Sequence, residues 1–413
     1  MSELVKKPST GSDTDSSNTP AFLNIFEDQF EYDSEQVAQA REAHWYAQTP
    51  IGPIVLRHAE AYDILRDRRL VLAGHRYMRS QNITEGPLYD WFTGMLVSQN
   101  GSDHARLRGL VSNVFTSRFV ATLSPAIQKI AELLADGIAG SHEGEFMDAF
   151  ADRFAGLVIC QMLGVPPEDY DQFHHWVRDI GLVFTTASER PRTEAAIVGM
   201  TGYIESLIDA RRRDLREDLL SSLITAADGG DRLTPKELTD MVLLLFWAGQ
   251  DTTALQLGRA MLAFANHPDQ WQLLRERPDL APQAVEEICR YTPQSRITFR
   301  FAAEDAVYRD LKIPAESMVL IGIATGNRDP RAFENPERFD ISAPRERSKQ
   351  LVFGGGVHMC LGQHMARLEM AVALTALTQR LGPPSVVGPV EWLPHTAMIH
   401  GPLSLPLRFG KRS

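Results

Sequence analysis

With 413 residues, 44% hydrophobic and 23% charged, the chain has the composition of a globular protein with ample material for a core. A formal net charge of −11 argues against a nucleic-acid binder, which would present a basic face. Three cysteines, Cys160, Cys289 and Cys360, are too few and odd in number for a disulfide framework, so a reducing, cytoplasmic setting is expected.

Residues 1–20 are polar, rich in Ser and Thr and without an apolar signal-peptide core; they are predicted to be disordered, leaving 21–413 as the folded unit. GPIVLRH at 52–58 is the first strand candidate. SDHARLRGLV places His104 and Arg108 four apart, on one face of a helix, with Arg106 facing another way. Helical spacing of apolar residues continues through AIQKIAELLADGIAG and TGYIESLIDARRRDLREDLLSSLITAA. The clearest helix opens at LTPKEL, where Thr234 suits the N-cap, Pro235 the first helical position and Glu237 a capping box. It can run to about Asn266, because Pro268 restricts the residue before it. Its apolar run MVLLLFWAG is far shorter than the roughly 20 residues of a membrane span, so none is expected. Further on, EEICR sets Glu287 and Arg290 three apart on one helical face. AVYRDLKIP, SMVLIGIATGN and SLPLRF are the remaining strand candidates. These elements predict one large, mainly α domain with a minor β region.

Two stretches break their own patterns. AGQDTT, residues 248–253, puts Gly249, Asp251, Thr252 and Thr253 into the middle of the long apolar helix, where propensity disfavours them. Either it is a tolerated polar turn on a wet stripe or it is a functional interruption. In the helical reading the Thr252 hydroxyl can return to the Ala248 carbonyl and locally open the hydrogen-bond ladder. The second stretch is FGGGVHMCLG, 353–362, in which a glycine-rich loop delivers Cys360 to the start of a helical run. Unpaired N–H groups there favour a thiolate. A buried inert cysteine, a nucleophile, a zinc ligand and a single axial ligand of haem iron are the readings open. Zinc fits poorly without a CxxC pair, and no base–orienter pair is evident for a nucleophile.

Phe353, Gly354, Gly356, His358, Cys360 and Gly362 match the haem-binding signature of the cytochrome P-450 family, and on these residues the chain resembles that family from about residue 45 to its end. The resemblance implies a cytochrome P-450-type domain with haem b (iron protoporphyrin IX) between the long central helix and the helix after the cysteine loop. Cys360 would be the axial thiolate and metal ligand, with Ala248 and Gly249 letting the ring lie close. Asp251 and Thr252 resemble the family's acid–alcohol pair, which relays protons and holds dioxygen or its water. His104, Arg108, Arg300 (in RFAAED) and His358 would neutralise the haem propionates. ATGNRDP and ENPERFD resemble the meander before the haem loop, which would bring Arg338 into a buried charge network with Glu287 and Arg290. The pocket would draw on Leu244, Ile297, Thr298, Met398 and Ile399, mostly apolar, and so suit a small-to-medium apolar organic substrate. The implied reaction is monooxygenation by O2, as hydroxylation or epoxidation and in natural-product tailoring. Electrons would come from a separate ferredoxin and ferredoxin reductase, since no Gly-rich dinucleotide motif is visible; Arg106 is a candidate contact for that partner. Oxidative coupling or rearrangement would carry the same motifs, and a non-catalytic haem sensor would need Cys360 without the acid–alcohol pair. The sequence departs from the family where Asn100, Gly101, Ser102 and Asp103 replace an acidic, proline-bearing turn, and where His400 replaces an arginine.

Overall fold

The structure, a computed structural model, describes residues 19–184, 187–229, 233–344 and 349–410. The disorder expected for residues 1–20 therefore falls, apart from its last two residues, outside the described part of the chain.

The architecture is mainly helical with a minor sheet. Its axis is the helix Pro235–Asn266, 32 residues long, whose start satisfies its free N–H groups as the sequence predicts. The Thr234 hydroxyl accepts from the Glu237 N–H at 3.2 Å, and the Glu237 carboxylate accepts from the Thr234 N–H at 2.8 Å. A helix buried on most of its circumference belongs in the core. This one packs against the helices Asp152–Leu163, Tyr170–Gly181 and Arg190–Arg213, and against Gln363–Arg380, the helix that follows the cysteine loop. One large apolar cluster joins these elements, and two smaller clusters lie on the sheet.

That sheet has five strands in the spatial order Tyr46–Thr49, Gly52–Val55, Met318–Gly322, Ile297–Ala302, Leu70–Val71. Only the pairing of Gly52–Val55 with Met318–Gly322 is parallel. The longest strand, Ile297–Ala302, was not among the sequence candidates. It is buried at almost every position, so the alternation that marks a half-wet strand is missing. The stretch AVYRDLKIP forms a hairpin of Ala306–Tyr308 with Leu311–Ile313. SLPLRF divides between the strands Pro402–Ser404 and Pro406–Phe409.

The run from 201 to 227 is two helices, Arg190–Arg213 and Leu219–Asp228, rather than one. Asp218 makes the break, since one carboxylate oxygen accepts from the Ser221 N–H at 2.7 Å as an N-cap while the other pairs with buried Arg211. Among the described residues no helix is long and apolar enough to cross a membrane.

Candidate active site

The cysteine loop is built by two glycines with different needs. Gly354 and Gly356 have φ of +69° and +66°, a region that L side chains seldom enter. At Gly356 a Cβ would also stand 2.8 Å from the Leu65 carbonyl oxygen and 3.1 Å from the Arg66 Cα, so the loop could not seat there with any other residue. The Cys360 N–H donates to the Phe353 carbonyl at 2.8 Å, and Met359 N–H to that of Gly356 at 3.2 Å. Arg108 fixes the same turn from outside, donating to the Met359 carbonyl at 2.7 Å.

These contacts aim Cys360 into a cavity whose far wall is the middle of the central helix. Leu244, Ala248, Gly249 and Thr252 line it from that helix, and His104, Arg108, His358 and Gly362 from the cysteine side. The Thr252 hydroxyl donates to the Ala248 carbonyl at 2.7 Å, the geometry that the spacing implies. Gly249 has a second need beside the close approach expected of it. A Cβ there would run into Ile159 of the helix Asp152–Leu163, so the glycine lets two helices meet and Ile159 reach the cavity.

Other sequence candidates lie outside the lining. Ile297, Thr298, Met398 and Ile399 belong to a neighbouring seam, where Ser295 and Ile399 form an antiparallel bridge and the Arg296 N–H donates to the Met398 carbonyl at 3.2 Å. Asp251 turns away from the cavity, its carboxylate against Gly181 and near the Trp247 indole nitrogen. Burial pushes its pKa well up; the charge of Asp152 adds to this, while Arg178 and the Trp247 hydrogen bond oppose it. The buried carboxyl thus holds its proton more tightly than a free one.

The thiolate expected at Cys360 is that of the haem-ligated sulfur; without the metal the electrostatics run the other way. Burial raises the thiol, and the Gly362 N–H, Arg108 and Arg367 offset this only in part. The helix itself begins at Gln363, beyond the sulfur. A metal bonded to sulfur would complete the deprotonation.

The basic side chains show what else the cavity lacks. The rings of His104 and His358 lie 4.5 Å apart, and Arg300 is close enough for its charge to depress His358. Nε2 of His104, Nδ1 of His358 and Nε of Arg300 are buried donors or acceptors without a partner among the described residues. Burial pushes His358 down to about 3 and Arg300 down to about 10, and it lowers His104 and Arg108 too. So many desolvated bases in one place call for carboxylates. Gly362 has open space where a Cβ would be, so nothing in the protein requires a glycine there. Thiol, bases and cradle all fit a porphyrin with two propionates. The unusual turn has a part in this, because Asn100 donates to the Leu72 carbonyl at 2.7 Å and offers its amide oxygen to His358 at 3.4 Å.

Two charge assignments are corrected. Glu287 and Arg290 form a fully buried bidentate pair, both bonds 2.8 Å, but Arg338 contributes only its backbone carbonyl, 2.9 Å from Arg290. Its side chain is 69% exposed beside Asp340, because the meander presents backbone to the pair and side chain to water. Arg106 is held by Glu237, the capping-box residue of the central helix, rather than free for a partner. Nδ1 of His400 accepts from the Arg259 guanidinium at 3.2 Å and the ring stacks on Trp392; burial, with Arg296 and Arg259, pushes it down to about 3. Sequence reasoning missed Glu369, Gln250 and Asp152, buried or half-buried polar groups on helices that face the central helix or stand on it. Only their spacing on otherwise apolar faces could have marked them.

Residues 182–382 match the family model described as Cytochrome P450. The chain is 38% identical over 393 residues to luteothin monooxygenase of Streptomyces thioluteus, covering 94% of this chain and 96% of that protein. It is 34% identical over 369 residues to the polyketide biosynthesis cytochrome P450 PksS of Bacillus subtilis (strain 168), covering 87% and 89%. The crystal structure of CalO2 superposes with a TM-score of 0.86 at 29% identity, covering 95% of this chain and 99% of that one.

Proposed function

The chain belongs to the cytochrome P450 family and is a haem-thiolate monooxygenase, and from that premise we propose that it inserts one atom of O2 into an apolar, polyketide-like molecule, with haem b held by Cys360. The observation that carries this reading is the opposition of Cys360 and Thr252 across one cavity, with buried nitrogens of nearby basic side chains that have no partner among the described residues. When bound, the haem supplies oxygen activation, which electron donation from a thiolate favours.

The protein's own groups supply position and protons. His104, Arg108, Arg300 and His358 would take the propionates, whose charge would favour the protonated form of the two histidines. Leu244, Met241, Ile159 and Leu96 give the cavity an apolar lining that admits an apolar substrate and excludes water. Thr252 has committed its hydroxyl proton to Ala248, so its oxygen faces the cavity as an acceptor that can orient a water or dioxygen. Asp251, whose buried carboxyl holds its proton more tightly than a free one, is the nearby reservoir. Electrons are assigned to a ferredoxin and its reductase in a cytoplasmic setting. The natural-product assignment leans on the polyketide relative, the apolar substrate on the lining.

The experiment is the reduced carbon-monoxide difference spectrum of the purified holoprotein. Wild type should give the band characteristic of thiolate-ligated haem, and Cys360→Ala should lose it. Retention of the band in Cys360→Ala would overturn the reading.

A further inference from the structure

Behind the central helix, on the side away from Cys360, lies a second polar site that the assigned reaction does not explain. Gln250 is fully buried, yet neither its amide oxygen nor its amide nitrogen has a partner among the described residues. An unpaired buried amide is strongly unfavourable, and such groups are ordinarily satisfied by ordered water. The amide sits against Gly156, where a Cβ would come within 3.2 Å of its oxygen and would overlap the Tyr170 ring. The glycine thus lets the Tyr170 ring close directly over the helix beside the Gln250 amide. One helical turn before Gly156, on the same face, stands Asp152. Asp152 itself is partly exposed to solvent. Asp251 follows Gln250 directly, with the Trp247 indole nitrogen nearby.

We propose that Asp152 and Gln250 form the inlet by which solvent protons reach Asp251, the unpartnered amide positioning the water between the two carboxylates. This rests on the reading of Asp251 as proton donor to the site. Each passage moves one proton. Asp152 takes it from solvent, water held by the Gln250 amide carries it on, and the Asp251 carboxylate receives it after releasing its own towards Thr252. No electron moves in this segment, and the consumption of protons is that of oxygen reduction itself. The electrostatics are suitable. Burial pushes Asp152 up to about 6, with Arg178 opposing and Glu145 and Asp148 adding, and its charge in turn raises Asp251 and Tyr170. Arg178 on the helix Tyr170–Gly181 faces both carboxylates, so neither is surrounded by like charge alone. Gln250 and Asp152 act through Asp251 and are positioning residues.

The test uses holoenzyme with a surrogate ferredoxin and reductase, comparing Gln250→Leu, Asp152→Asn, Asp152→Glu and Asp251→Asn. Gln250→Leu and Asp152→Asn should each lose product per NADPH severalfold, with peroxide making up the difference and a larger solvent deuterium isotope effect, while the carbon-monoxide spectrum is unchanged. Asp152→Glu should restore coupling. Independently of turnover, the infrared carboxyl band that disappears in Asp251→Asn should titrate at lower pH in Asp152→Asn, since one neighbouring negative charge is gone. If Asp251→Asn uncouples but coupling and isotope effect stay at wild-type values in both Gln250→Leu and Asp152→Asn, the inlet is rejected and Asp251 keeps its role. If Asp251→Asn itself remains coupled, the reading of Asp251 falls and the inlet falls with it.

Discussion

The Thr252 side chain illustrates how one hydrogen bond sets the chemistry available to a residue. A threonine inside a helix can donate to the carbonyl four residues back, and here it does so at 2.7 Å. Its oxygen is then left as an acceptor on the cavity side, one residue from a buried carboxyl whose pKa is raised. Removing the hydroxyl leaves the acid but not the group that orients its proton's destination. Thr252→Ala should therefore release more hydrogen peroxide per NADPH at the expense of product, while Thr252→Ser, which retains the hydroxyl, should stay close to wild type. Peroxide and product assays on the same samples decide it, and unchanged coupling in Thr252→Ala would remove this residue from the proposed proton path.

Among the elements, the meander and the helix Ala281–Tyr291 hold the cysteine loop at a distance. Arg290 gives two bonds to Glu287 and others to the carbonyls of Pro336, Arg338 and Asn327, and the Asn327 side chain in turn accepts from the Leu351 N–H at 2.8 Å, at the root of the loop. Breaking a buried pair by removing one member strands the other charge, at about 3–5 kcal/mol. Glu287→Ala should thus yield little haem-loaded protein, whereas Arg338→Ala, which keeps the backbone carbonyl, should load normally; haem absorbance per protein separates the two outcomes. The pair was legible in EEICR, but the third member was not, because a sequence pattern names a side chain while the fold uses a backbone oxygen. The same limit explains other gaps. Capping residues Thr234, Pro235 and Glu237 announced the central helix from local chemistry, whereas Ile297–Ala302 is a strand only because neighbours bury both faces. The loop FGGGVHMCLG was readable as a site since its residues are contiguous, while Asn100 supports His358 from 258 positions away.

At the scale of the whole molecule, the two helices that enclose the cavity are joined by a buried acid. Glu369, 2% exposed on Gln363–Arg380, accepts a hydrogen bond from Thr253 of the central helix at 2.9 Å. Burial pushes it up from 4.5 to about 7, and the Thr253 bond only partly opposes this. Between those two values the folded protein holds a proton that the unfolded chain has released. Stability from this group is therefore fully present below 4.5 and is lost as pH rises through 7. The displacement corresponds to about 3 kcal/mol at most. Glu369→Gln removes the titration but keeps the shape and a polar contact to Thr253. Relative to wild type, the variant should gain little at pH 5 and progressively more towards pH 8, where wild type must carry a buried carboxylate between its two principal helices. Thermal or denaturant midpoints of the holoproteins at both pH values test this. A midpoint difference that does not change with pH would mean that Glu369 is solvated or paired when folded, and that the contact between the two helices is not under titration.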